Sequence, residues 1–296
     1  MVSALPTERV HPMKVIDMQT QMTTEKGALW PLSLKEFFEA SFKTKIPYYQ
    51  SEEEMMKGFR EAGARVVLIP PTWGKQDFGV VREAHDYVGQ LKKDYPDVVY
   101  SFWVSPVPGV NIIKWIRELE RCIKELGSAG IYYNGFFTGI PANDKYLYPF
   151  YDLCQEAGVP VKISVGHTAA GAGMPGGSGV HLRTENPIYI DDVAADFPSL
   201  NVISTHCPWP YHNEMISIML HKANVYNDLH GWLPRYFPQE IKREISGRLK
   251  HKFLFGSDFP FFAFQRLYDD WESLDYKPEV LENVCYRNAQ RIFGFE

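Results

Sequence analysis

Cysteine is scarce and scattered: four in 296 residues, Cys122, Cys154, Cys207 and Cys285, with no C-x-x-C pair among them. That spacing excludes a zinc ribbon and a disulfide framework and predicts free thiols in a reducing compartment. Positive charge is also in short supply. The 31 Lys and Arg stand against 36 Asp and Glu, for a net charge of −5, and the basic residues are dispersed, so no polyanion-binding field is expected and nucleic acid is excluded as a partner. No apolar run approaches the ~18 to 20 residues of a membrane span, and the opening MVSALPTERVHP lacks the apolar stretch of a signal peptide. The expectation is a cytoplasmic protein with no membrane partner.

What is present is core-forming material, 45% hydrophobic and 15% aromatic residues, in an alternating pattern. Short β-branched or apolar runs recur, each followed by a longer stretch with helical spacing, which marks a parallel α/β sheet or barrel. The strand candidates are eight: KVIDMQ (14–19), RVVLIP (65–70), DVVYSFWVS (97–105), GIYYNGF (130–136), VPVKISVGH (159–167), LNVISTH (200–206), NVYNDL (224–229) and HKFLFGSD (251–258). Helix punctuation falls between them: Ser51 with Glu54 reads as a capping box and Gly63 as a stop, and Gly158 ends the segment before the fifth strand. Eight units in about this length predict a closed (β/α)8 TIM barrel, with residues 1–296 as a single domain.

Polar residues collect at the C-terminal ends of these strands, where barrel enzymes build their sites. Gln19 and Gln21 stand two apart on strand one and share a face, with Asp17 expected below them on the same side. His167, His206 and Asp258 end strands five, six and eight. The stretch 168–187 carries five glycines and is expected to form a long loop over this rim, of the kind that closes on substrate.

VIDMQTQM (15–22), VKISVGH (161–167), NVISTHCPWP (201–210), NVYNDLHGW (224–232), HKFLFGSDFP (251–260) and YRNAQRIFGF (286–295), in this order, resemble the amidohydrolase-related family that includes aminocarboxymuconate-semialdehyde and resorcylate-type decarboxylases. The resemblance spans nearly the whole chain, strands three and four contributing least. It implies a homo-oligomeric enzyme acting on a small molecule. In that family the first strand ends in H-x-H; those two histidines, the strand-five histidine and the strand-eight aspartate bind a divalent metal, and the strand-six histidine moves protons. Carried over, His167 and Asp258 match metal ligands and His206 matches the proton-transfer residue, but Gln19 and Gln21 stand where the histidines are.

Glutamine offers no imidazole nitrogen to zinc, and its carbonyl is a weaker, harder donor. The expected state is therefore metal-free, or a weakly bound divalent metal, zinc or manganese, on His167 and Asp258. The amide NH2 groups can instead donate hydrogen bonds to a substrate carboxylate or oxyanion. Arg183 is a candidate carboxylate clamp and Trp209 a candidate stacking surface, each set against a bland reading as loop decoration or rim packing; Trp232, Phe259 and Phe262 are weighed in the same way. The function expected is decarboxylation or hydrolysis of a small carboxylated or hydroxylated ring compound, with His206 and Asp258 catalytic and Gln19, Gln21, His167, Arg183 and Trp209 binding substrate. The alternative is a metal-free, non-catalytic barrel that binds a ligand or partner.

Overall fold

The computed structural model describes residues 13–28, 35, 36, 39, 44–72, 77–106 and 111–295; the opening segment 1–12, considered above for a signal peptide, lies outside them. Eight strands run β1 (Val15–Gln21), β2 (Ala64–Ile69), β3 (Val99–Val104), β4 (Gly130–Tyr133), β5 (Val161–Ser164), β6 (Val202–Thr205), β7 (Val225–Asp228) and β8 (Phe253–Leu254). Each pairs in parallel with the next in sequence order. The seam between last and first is closed by Met18 N to Phe255 O (3.1 Å), Gln21 N to Phe259 O (2.9 Å) and a parallel bridge between Thr20 and Phe259. The (β/α)8 barrel read from the eight apolar runs is the fold observed.

The outer layer includes α1 (Glu52–Glu61), α2 (Phe78–Asp94), α3 (Ile112–Arg121), α4 (Tyr148–Ala157), α5 (Ile188–Asp196), α6 (His212–His221), α7 (Gln239–Ser246) and α8 (Phe264–Glu272). These helices form because each carries an apolar stripe and local end signals. In α1 Met55, Met56 and Phe59 are buried, and Ser51 Oγ accepts from Glu54 N (3.2 Å) as its cap. The return half of the predicted capping box goes one residue further, with Gln50 N donating to Glu54 Oε2 (2.8 Å). Phe59 packs edge-on against Phe259 and Phe264, with centroids 5.5 and 5.8 Å away, joining α1 and α8 to the β8 loop. Full burial of one such ring contributes about 1.5–3 kcal/mol.

The barrel interior departs from expectation in two ways. A register shift interrupts β1 between Asp17 and Thr20. Ile16 and Met18 belong to the apolar set inside the barrel, so Asp17 between them faces the opposite way, not below Gln19 and Gln21 as strict alternation predicts. There it accepts from Ser257 N (2.8 Å), Thr20 Oγ1 (2.5 Å), Gln19 N (3.0 Å) and the Ser257 hydroxyl, and burial pushes its carboxyl up to about 6 against those bonds. The second departure is Lys162, fully buried inside a barrel otherwise lined by Met18, Trp103, Ile203 and Leu254. Its ammonium lies 4.5 Å from the Tyr132 ring centre and 5.1 Å from that of Trp103.

Candidate active site

Gln21, His206 and Asp258 come together at the strand ends, while the contacts of His167 are with Trp209. Gln21 Nε2 donates to Asp258 Oδ1 (3.1 Å), joining the ends of β1 and β8, while its Oε1 is buried with no partner. His206 follows β6 and Asp258 follows β8, and both approach Gly231, just beyond β7. A Cβ on Gly231 would stand 2.9 Å from His206 Cδ2 and 3.8 Å from Asp258 Oδ2, and its φ of +78° is one that side chains rarely adopt. The bare glycine is what lets an imidazole and a carboxylate converge on one spot. His206 Nδ1 is buried and unpartnered. Burial and the neighbouring His230 lower its pKa well below the ordinary histidine value, so His206 stands as a neutral imidazole at neutral pH.

Gln19 makes a different connection. Its Oε1 accepts from Lys162 Nζ at 2.6 Å, and the same ammonium donates to Met18 O (2.8 Å) and Asp228 Oδ2 (3.1 Å). Burial lowers the lysine's pKa and Asp228 opposes that. Asp228 passes the connection on, its Oδ2 lying 2.8 Å from His230 Nδ1, which is also 2.7 Å from Thr205 Oγ1. Burial raises the Asp228 pKa, yet His230 and Lys162 outweigh it and hold the carboxylate far below its usual range. The His230 ring in turn lies 4.4 Å from that of His206. A buried chain thus runs from Gln19 through Lys162, Asp228 and His230 to His206.

His167 ends β5 partly exposed, its ring 5.7 Å from Trp209 and its N–H donating to Trp209 O (2.7 Å). Gly166 permits that approach, since a Cβ there would come within 2.6 Å of Trp209 O. Trp209 itself is 45% exposed, 6.2 Å from Trp232. Arg183 is exposed on a 3-10 turn, Leu182–Glu185. Phe259 is core, stacked on Phe264 at 5.7 Å, and Phe262 is partly buried against the same core.

Four side chains escaped the sequence reading. Lys162 and Asp228 sit within apolar strands, and a charge inside a strand buried on both faces was the available signal. His230 follows Asp228 by two residues in NDLH, inside a motif quoted above for resemblance alone. Glu185 returns from the glycine-rich loop to the strand ends, where its carbonyl accepts from Gly166 N (2.8 Å) and Thr184 donates to its Oε1 (3.1 Å). Burial pushes its carboxyl up to about 7, which places a group that titrates near neutrality at these strand ends.

The mouth does not fit a tightly held metal of the type the resemblance implies. Among the described residues, three His, Cys, Asp or Glu donor atoms come within 4.8 Å of one another only at His85, Glu118 and Cys122, between α2 and α3. That cluster is already neutralised: Arg121 donates to both Glu118 oxygens (2.9 and 2.7 Å) and His85 Nδ1 lies 2.9 Å from Oε1. At the mouth, Gln19 Oε1 is taken by an ammonium and the Gln21 amide by Asp258.

Comparison with known proteins agrees with the architecture. A TIM-barrel protein of Bordetella bronchiseptica superposes with a TM-score of 0.74 at 22% identity, covering 95% of this chain and 99% of that one. The 5-carboxyvanillate decarboxylase of Novosphingobium aromaticivorans, solved with manganese and 4-hydroxy-3-methoxy-5-nitrobenzoic acid, superposes with a TM-score of 0.68 at 14% identity, covering 95% and 96%. A 2-keto-4-carboxy-3-hexenedioate hydratase of Sphingobium sp. is 27% identical over 182 residues, and the match spans about half of each chain, 54% of this one and 53% of the hydratase. The amidohydrolase family model matches residues 18–295, and this chain belongs to the amidohydrolase family of enzymes.

Proposed function

We propose that this enzyme is a lyase that decarboxylates a small, carboxylated and hydroxylated ring compound, with His206 and Asp258 moving the proton. The observation that carries this reading is the convergence of a neutral His206 and the Asp258 carboxyl on Gly231, beside the Gln21 amide. Neutral His206 takes the proton of a ring hydroxyl, which raises electron density on the carbon bearing the carboxylate. The imidazolium, or Asp258 in its acid form, then gives a proton to that carbon, leaving a ring ketone. The bond to the carboxylate breaks with its electron pair returning to the ring, CO2 departs, and the phenolate so restored regains a proton from water. Amide donors near the mouth stabilise the negative charge that moves.

Hydration of an unsaturated carboxylated acid is the second reading, favoured by the partial match to the Sphingobium hydratase. There neutral His206 takes a proton from the attacking water and Asp258 protonates the neighbouring carbon.

The test is to incubate the purified protein with 2,6-dihydroxybenzoate, 5-carboxyvanillate and 2-keto-4-carboxy-3-hexenedioate, following CO2 release and loss of conjugated absorbance, with His206→Ala as control. CO2 release that disappears in the variant supports decarboxylation, and absorbance loss without CO2 supports hydration. Binding without turnover of any of them favours the non-catalytic barrel.

A further inference from the structure

The geometry points to Lys162 as a built-in cation that stands in for the charge of a divalent metal and keeps such a metal out of the barrel mouth. The inference concerns the electrostatics of the mouth and goes beyond the reaction proposed above. Lys162 makes three hydrogen bonds, to Gln19 Oε1, Met18 O and Asp228 Oδ2. Only the ammonium form has three N–H donors to give, so the acceptor set itself selects the charged state. The ammonium is fully buried, against the faces of Tyr132 and Trp103, with no solvent to dissipate its field.

Two consequences follow for the first strand. Because Gln19 Oε1 is held at 2.6 Å by the ammonium, the amide is fixed with its oxygen inward and its NH2 as the free donor end. A metal coordinated by that oxygen, at the usual ~2 Å, would stand within about 5 Å of a fixed positive charge in a poorly screened interior. Glutamine at position 19 and lysine at 162 therefore form one device, in which the amide that replaced a nitrogen ligand is the partner of the charge that replaces the ion. Asp228 completes it. Its second neighbour, His230, has its ring 4.4 Å from that of His206, so the chain that begins at Gln19 ends next to the proton-transfer residue. Lys162 is thus a positioning residue, acting through Gln19 and His230.

The experiment is a Mn2+ titration, read by the electron paramagnetic resonance signal of the free ion, and it needs no substrate. Four proteins are compared: the native sequence, Lys162→Met, Gln19→His with Gln21→His, and the triple variant. Lys162→Met is expected to tighten Mn2+ binding at least tenfold in the two-histidine background, and His167→Ala in that protein should abolish the gain, locating the ion at the mouth. A merely structural lysine would leave the affinity equal or weaken it, and that outcome overturns the inference. So does stoichiometric, tightly held metal in the native protein. If Lys162→Met fails to fold because Asp228 loses its counter-charge, Lys162→Met with Asp228→Asn removes both charges and carries the same comparison against Asp228→Asn alone. Failure here leaves the decarboxylation assay untouched, and failure of that assay leaves this titration readable.

Discussion

Gln21 donates its amide to Asp258 across 3.1 Å, tying the end of the first strand to the residue that follows the last. Replacing Gln21 by Glu sets a second carboxylate against Asp258, and two such groups at this distance cannot both ionise freely. The pair is expected to retain a shared proton, moving the acidic limb of the kcat/KM profile upward by at least about one pH unit. An unmoved limb in a folded Gln21→Glu protein would show that Asp258 does not govern that limb.

His206→Ala and Asp258→Asn are each expected to reduce turnover by at least ~100-fold, the lower range for loss of a general acid or base. Gly231→Ala tests their convergence without touching either, since its methyl would stand 2.9 Å from His206 Cδ2 on a backbone with φ +78°. A loss of at least about tenfold in kcat, with ~1–2 kcal/mol of stability, is the expected result. Wild-type kcat in all three, on a substrate the protein turns over, would move the chemistry elsewhere.

The buried Glu185 carboxyl makes a pH prediction with a definite sign. Its folded pKa, about 7, lies above the ordinary value, so the folded state binds the proton more tightly. That contribution is fully present below the unfolded pKa and is lost as pH rises through 7, a difference of roughly 3 kcal/mol. Asp17, raised to about 6, acts in the same direction. The lowered pKa of His206 acts in the opposite one below its unfolded value, so the comparison that isolates Glu185 is with a Glu185→Gln variant. Relative to wild type, this variant should gain melting temperature steadily from pH 5 to pH 8. A constant difference across that range would contradict the assignment.

Arg121→Met should destabilise the protein by about 3 kcal/mol in urea unfolding, because it strips the cation from both oxygens of the buried Glu118. Added Zn2+ should leave the wild-type melting temperature unchanged, as the Arg121 guanidinium already satisfies that carboxylate. A zinc-dependent rise that vanishes in Cys122→Ser would make the cluster a metal site.

The barrel was legible because its cause is local: each strand is an apolar, β-branched run and each helix carries its own stripe and stop, as at Gly158. The strand-end residues were legible for a related reason, since His167, His206 and Asp258 are polar where a barrel strand leaves its core. The interior charges were not. Lys162 finds its acceptors 144, 143 and 66 residues away on β1 and β7, and no short-range pattern encodes that meeting. Asp17 was misplaced by a register shift within β1 itself, which alternation cannot anticipate. Glu185 lies near the end of a loop read from its glycines as one that closes on substrate, and nothing in that composition marked a buried acid.

The seam of the barrel has a consequence for how the molecule comes into being. β8 is two residues long, and what holds the first strand to the last is a pair of backbone bonds, one bridge and the Asp17 side chain gripping Ser257. The Gln21–Asp258 contact lies on that same seam, between residues 237 positions apart. During synthesis from the N-terminus, β1 through β7 are available to pair with their neighbours long before Asp258 leaves the ribosome. The same closure that joins β8 to β1 brings Asp258 to Gln21, so on the proposed reading the seam and the proton-transfer pair are built by one set of contacts.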